Sequence, residues 1–348
     1  MNIDNIKKIE LEITSNCNAA CPGCARTQNP DILEIDSFKL DDLKTMFPTP
    51  RHIKNKQFKF CGVLGDPAFN AECVNMVEYL TDYGGYCQLS TNGGIQNTEW
   101  WHRLGTVSNR TRKVDVVFCV DGYRETNHIY RVNTVFDVIE RNMDAYAKAG
   151  GTGTWMFIVF DHNEHELPLA EAHARKLGFK FATRTGMRNS IHDWIAVVRK
   201  KQEGKVVKEE VVITTTGEKE HSKKEQIIEL QKFIEKPVDD KKQEILNSIV
   251  CKLIHEGEIF VAANQTVWPC CFLWDSYFKN KENIKEKLSE YGSGWNSLKN
   301  HSIEEILQNK WFEEVLALSW DPAHNKHLDR CIRTCAYKKA YQNEIKFK

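Results

Sequence analysis

The sequence carries no surplus of charge, no long apolar run and no internal repeat. Forty-eight basic side chains balance forty-eight acidic ones, so the formal net charge at pH 7 is zero. That balance argues against a protein that grips nucleic acid through bulk positive charge. No apolar stretch approaches the ~18 residues a membrane span needs. The segment Met1 to Lys8 is polar and develops no apolar h-region, so no secretory signal is expected and the setting reads as cytoplasmic. At 41% hydrophobic and 28% charged residues the composition is that of a soluble globular protein.

What the chain has in excess is cysteine. Its 348 residues suffice for roughly two domains and a core without covalent staples, yet twelve cysteines are present. Disulfides are rare in the cytosol, and clustered cysteines there more often bind metal or do chemistry. Cys17, Cys21 and Cys24 form one cluster; Cys251, Cys270, Cys271, Cys331 and Cys335 lie near the carboxyl end. Cys61, Cys73, Cys87 and Cys119 stand singly in apolar or strand-like segments and read as small buried hydrophobes. Trp100, Trp101 and Trp311 fall on helix faces and read as core.

The first half alternates strand and helix. Strand patterns run over Ile6–Thr14, Phe58–Gly65, Tyr86–Ser90, Val114–Val120, Trp155–Phe160 and Phe179–Thr185. Helical spacing appears over Asn70–Tyr83, Thr134–Ala149 and Glu166–Leu177, the first two stopped by Gly-Gly pairs. Strands separated by helices imply right-handed βαβ units and a parallel sheet, either closed toward a barrel or open and doubly wound. In both cases ligands bind at the carboxyl ends of the strands. The three cysteines, Gly65-Asp66, Asn92, Asp121 and Asn163 sit at five successive strand ends. Residues 196–245 are crowded with charges of both signs and read as a linker or insertion, with a hairpin over Val206–Gly217 and a helix over Lys223–Glu235. Residues 246–348 form a third region.

The spacing Cys17-x3-Cys21-x2-Cys24 directly after a strand is the sharpest signal. A four-iron cubane normally takes four cysteines; three leave one iron with a vacancy. A structural zinc site is the competing reading, but it wants a fourth ligand nearby and none precedes Cys61. The motif resembles that of the radical S-adenosylmethionine (radical SAM) superfamily. The resemblance implies a [4Fe-4S] cluster whose open iron chelates S-adenosylmethionine, reductive cleavage of the sulfonium, and a 5′-deoxyadenosyl radical that abstracts hydrogen from a substrate. Such radical chemistry belongs to the cofactors, leaving positioning to the protein.

Further motifs match. Gly62-Val63-Leu64-Gly65-Asp66-Pro67 stands where the family has a Gly-Gly-Glu-Pro-like motif, which implies that Asp66 faces the methionine ammonium directly or through water. Ser90, Thr91 and Asn92 resemble the third-strand motif near the cofactor. Val120-Asp121-Gly122 resembles Ser-x-Asp-Gly, with Cys119 at the Ser position. His128-Ile129-Tyr130-Arg131 resembles a His-x-x-Arg stretch whose Arg131 pairs with the methionine carboxylate; a guanidinium suits that role because it bonds bidentately. Asn163 and Glu166 either face the ribose or adenine or cap the following helix. Gly23 replaces the aromatic usual before the third cysteine, so adenine packing must come from elsewhere.

The stretch Phe260–Cys270 reads as a hairpin with its turn at Asn264-Gln265. It resembles the twitch and SPASM extensions of that superfamily, with Gln265 at a glycine position. Cys251, Cys270, Cys331 and Cys335 would close a second [4Fe-4S] cluster, with Cys271 as the alternative to Cys270; a zinc ribbon on the same thiolates competes. The expected fold class is thus α/β: a partial (β/α)6 TIM-type barrel over residues 1–195, the charged segment, and a smaller α+β twitch/SPASM-like unit over 246–348. The resemblance implies a peptide or protein substrate first and a reductant such as a flavodoxin or ferredoxin. A nucleoside or other small-molecule substrate, and a non-catalytic zinc or iron–sulfur scaffold, are the alternatives.

Overall fold

The computed structural model describes residues 1–185, 194–202, 205–213, 229–235 and 239–338. Six strands, β1 (Lys8–Leu11), β2 (Gln57–Phe60), β3 (Tyr86–Thr91), β4 (Val114–Cys119), β5 (Thr152–Val159) and β6 (Lys180–Thr185), lie side by side in chain order, all parallel. A doubly wound sheet reverses its strand order at a switch point; this one never reverses. Right-handed crossovers all run one way, so the helices Cys73–Asp82, Thr98–Thr111, Phe136–Lys148 and Leu167–Lys176 cover one face only. Between the two alternatives left by the sequence, this is the partial (β/α)6 barrel.

Strand alternation explains the two faces. Ile9, Leu11, Phe58, Phe60, Leu89, Val116, Phe118, Trp155 and Phe157 point to the helices and are buried in one core with Trp101, Ile139 and Tyr146. On the opposite face the register aligns Glu10, Lys59, Gln88, Asp115 and Thr152 in one polar row across five strands, with Val117, Met156 and Ala182 forming a small apolar cluster beyond it. The helices leave that row uncovered. Trp101 and Trp311 are core, as their spacing predicts, and so are Cys73 and Cys87. Cys61 is not: it stands half-buried beside the polar row and its thiol donates to Glu10 Oε1 at 2.9 Å.

Past residue 250 the chain returns to the sheet. Strand β9 (Glu258–Val261) pairs parallel with the free side of β1, and β10 (Val267–Trp268) folds back on β9. The hairpin turns where expected, with Gln265 in the left-handed region at φ 69° and its N–H on Ala262 O at 2.8 Å. Strands β7 (Trp194–Gln202) and β8 (Lys205–Ile213) form a separate antiparallel pair. The hairpin in the charged segment therefore begins one strand earlier than Val206, because the segment with β-branched Ile195, Val197 and Val198 supplies the partner. Residues 229–235 are helical, whereas the expected turn at Thr214–Gly217 and the start of the expected helix at 223–228 lie outside the described residues. No helix among the described residues is long and apolar enough to cross a membrane.

Candidate cluster and cofactor site

After β1 the chain crosses the carboxyl edge of the sheet as the loop that carries Cys17, Cys21 and Cys24. Cys17 Sγ accepts from Ala19 N–H at 3.4 Å and from Asn92 Nδ2 at 3.7 Å. Arg131 Nη1 lies 3.8 Å from Cys21 Sγ. Cys24 caps the short helix Ala25–Gln28, with its thiol 3.9 Å from Val63 O. All three are free thiols. Burial pushes Cys17 up to about 12 and Cys21 up to about 11, so a metal that takes the thiolates must displace protons.

Among the described residues no three His, Cys, Asp or Glu side chains converge on one ion position. An iron–sulfur cubane makes a different demand, because each cysteine ligates its own iron and the sulfurs stand apart. Three free thiols on one loop, with N–H donors directed at two of them, fit such a cluster, since hydrogen bonds to the sulfurs tune it.

The neighbouring strand ends are tied together by buried polar groups. Asp66 accepts from Thr91 Oγ1 at 2.8 Å, Asn92 N at 2.7 Å and Ala68 N at 3.0 Å, so its carboxylate locks the β2 loop to the end of β3. Asn92 in turn holds Asn18 Oδ1 at 2.8 Å, anchoring the cysteine loop. Gly65 is needed where it is, because a Cβ there would lie 1.7 Å from Thr14 O. Ser90 stands half-buried on the polar face of β3 opposite Val117. Asp121 is fully buried; one oxygen takes Arg131 Nε at 2.7 Å and the other Ile158 N at 2.7 Å. Burial pushes Asp121 up while the Arg131 guanidinium holds it down.

Arg131 therefore bridges Asp121 and Cys21, over the ring of Tyr130 at 5.4 Å. Asn163, also fully buried, donates to Asp121 O and Ile158 O at 3.0 Å each and accepts from Phe160 N at 2.8 Å, closing the end of β5. Glu166 accepts from Tyr123 N at 2.8 Å and from the Thr126 hydroxyl, and so pins the turn after β4.

The second thiol set separates into two environments. Cys251, Cys270, Cys331 and Cys335 are free, buried, and close enough that each of Cys270, Cys331 and Cys335 is pushed up partly by the others. Cys251 and Cys270 head the helices Lys252–Glu256 and Cys271–Phe278, where backbone N–H groups face their sulfurs. Burial pushes all four thiols up, so a metal that takes them must displace protons; four thiols so placed fit a fully ligated cluster. Cys271 lies in a different setting: burial pushes its thiol up, and the charges that act on it most are those of Glu10 and Lys252.

Sequence reasoning passed over Glu10 and Glu12. Both lie on β1 or its extension and are buried, although charged residues alternating with apolar ones read as a solvated face. Glu12 Oε1 accepts from Leu64 N at 2.6 Å, and burial pushes its carboxyl up to about 7.

No protein-family model matches the chain. Over 98 residues it is 30% identical to the AdoMet-dependent heme synthase of Nitratidesulfovibrio vulgaris, a match that covers 28% of this chain and 26% of that protein; the aligned part spans about a quarter of the relative. Two solved structures share the fold. One is anSMEcpe with bound AdoMet and Cp18Cys peptide, 13% identical, covering 95% of this chain and 89% of that one at a TM-score of 0.50. The other is SuiB of Streptococcus suis bound to S-adenosylmethionine, 8% identical, covering 77% and 61% at a TM-score of 0.50.

Proposed function

We propose that this chain, which has the fold of the radical SAM enzymes, is itself such an enzyme and acts on a peptide or protein. The observation that carries the reading is the loop Cys17–Cys24 at the carboxyl edge of a six-stranded parallel sheet, its thiols met by the Asn92 amide and the Arg131 guanidinium. Cys17, Cys21 and Cys24 would hold a [4Fe-4S] cluster with one open iron. When bound, the cluster supplies the electron for reductive cleavage of S-adenosylmethionine and hence hydrogen-atom abstraction from the substrate.

The chain's own residues do the positioning. Asp66 and Asn92 keep the cysteine loop against the ends of β2 and β3. Asp121 fixes Arg131 beside Cys21, where the guanidinium would be available to a carboxylate of the bound cofactor. Gly65, Ser90 and Asn163 belong to the strand ends that would frame the same cofactor. Cys251, Cys270, Cys331 and Cys335 would hold a second, fully ligated [4Fe-4S] cluster, with Cys271 outside it. A peptide substrate is favoured by the peptide bound in anSMEcpe, which matches nearly the whole chain in fold. A flavodoxin or ferredoxin would serve as reductant.

Anaerobic reconstitution tests the reading. Iron and sulfide should each approach about eight per chain, two four-iron cubanes, and dithionite with S-adenosylmethionine should yield 5′-deoxyadenosine. The triple variant Cys17→Ala, Cys21→Ala, Cys24→Ala should lose cleavage and about half the iron. Cleavage that survives in that variant refutes the site.

A further inference from the structure

The polar row on the open face of the sheet ends, at β1, in two buried carboxylates, Glu10 and Glu12, to which the proposed cluster and cofactor roles give no task. Glu10 and Glu12 are two residues apart and project to the same face, 6% and 1% exposed. Lys59 stands opposite Glu10 on β2. Lys252 Nζ donates to Glu258 Oε1 at 2.6 Å and lies 3.8 Å from Glu10 Oε2, beyond hydrogen-bond reach. Three carboxylates thus share two ammonium groups.

The one left over is Glu12. Its Oε1 takes the Leu64 N–H, and the amides of Val63, Gly65 and Ala263 face the carboxylate, but Oε2 is buried without a hydrogen-bond partner. Glu10 Oε2 is likewise buried without a donor. Buried polar atoms in folded proteins nearly always have partners, whether from protein, water or ligand. The two orphan oxygens lie on the same strand face and both lack the same thing, an N–H or O–H. A protonated group would supply a donor to both oxygens and a counter-charge to Glu12, whose carboxyl burial raises to about 7; Glu10 already has Lys59 and Lys252 near it, which hold its carboxyl low.

The carboxylate pair also lies between the two thiol sets. Leu64, held by Glu12, follows Val63, whose carbonyl is 3.9 Å from Cys24 Sγ. On the other side Cys271, whose thiol feels the Glu10 charge, follows Cys270 of the second set.

We propose that Glu10 and Glu12 form the wall of the substrate site that receives a basic side chain, an ammonium or guanidinium group, of the peptide to be modified. The inference rests on the peptide-modifying reading above and narrows its substrate class. Charge-assisted bonds to two carboxylate oxygens, made away from water, are strong and selective.

Calorimetric titration of the reconstituted protein with S-adenosylmethionine, at about pH 8 so that Glu12 is ionised, tests it. The probes are N-acetylated, C-amidated Ala-Lys-Ala, Ala-Arg-Ala and Ala-norleucine-Ala. The lysine or arginine peptide should bind at least about tenfold more tightly than the norleucine peptide, and that ratio should fall below about threefold in Glu12→Gln and in Glu10→Gln. Glu12→Asp, which keeps the charge, should retain most of the preference and so separates charge from loop damage. Equal binding of all three probes, no binding of any, or a preference that persists in both Gln variants overturns the assignment. Cleavage of S-adenosylmethionine is read in the same samples: cleavage without a basic preference removes this assignment alone, whereas a missing cleavage reaction removes the parent reading.

Discussion

Asp121 is where burial and charge meet most sharply. Its carboxylate has no exposed surface, and it pairs with the Arg131 guanidinium at 2.7 Å. Stripping one partner from a buried pair leaves the other charge uncompensated and costs about 3–5 kcal/mol. Arg131→Met should therefore destabilise the chain by about that amount in urea denaturation, and the double variant with Asp121→Asn should recover a good part of it. Full additivity of the two losses would mean that the pair does not couple.

Glu12 gives the opposite case, a carboxyl that burial holds at about 7 against an ordinary 4.5. The folded state then binds more protons than the unfolded one between those values, so stability falls as pH rises through that window, by up to about 3 kcal/mol. Glu12→Gln should flatten the decline between pH 4.5 and 8, whatever its offset; an unchanged slope contradicts the burial argument. Asp121 and Asn92 were legible in the sequence because each follows a strand, and Arg131 because its stretch resembles His-x-x-Arg. Glu10 and Glu12 were not, because alternation in a strand gives the side of the sheet but not what covers it.

At the level of elements, the strands declared themselves through apolar, β-branched runs, and four of the six cover most of the span their patterns suggest, whereas β2 keeps only Phe58–Phe60 of Phe58–Gly65. β1 is shorter than its pattern, Lys8–Leu11 within Ile6–Thr14, because the chain leaves the ladder to bring Thr14 and Ser15 against the loop after β2. That close approach is what Gly65 permits. Gly65→Ala would put a methyl group into the Thr14 carbonyl, and since the obstacle is backbone it cannot rotate away. Overpacking of this kind costs about 1–3 kcal/mol. The variant should show that loss in denaturation together with reduced iron in the first cluster, since the same loop carries the carbonyl beside Cys24. Wild-type iron content with wild-type stability would show that the loop yields freely. The turn at Gln265 teaches the reverse lesson: a residue with a Cβ sits at positive φ because the hairpin register requires it, and the resemblance to a glycine-bearing turn marked the position where glutamine's own preference did not.

At the scale of the molecule, the carboxyl-terminal region is bound into the same sheet as the amino-terminal one. Composition and cysteine spacing marked residues 246–348 as chemically distinct, but a parallel pairing between segments some 250 residues apart leaves no local trace in sequence. β9 covers the free side of β1, and Ile259, Val261 and Trp268 are buried in the same core as Ile9 and Leu11. Lys252 and Glu258 complete the charge balance around Glu10. A chain ending at residue 245 would expose an apolar strand edge and leave Glu10 short of a cation. Exposed edges of that kind template aggregation. The truncated chain should accordingly elute as aggregates in size-exclusion chromatography and lack a cooperative thermal transition. Replacing Cys251, Cys270, Cys331 and Cys335 together by Ser keeps the strand pairing, so that variant should stay monodisperse while losing about half the iron. A monomeric, cooperatively unfolding 1–245 fragment would show that β9 is an accessory to the sheet and not a part of its foundation.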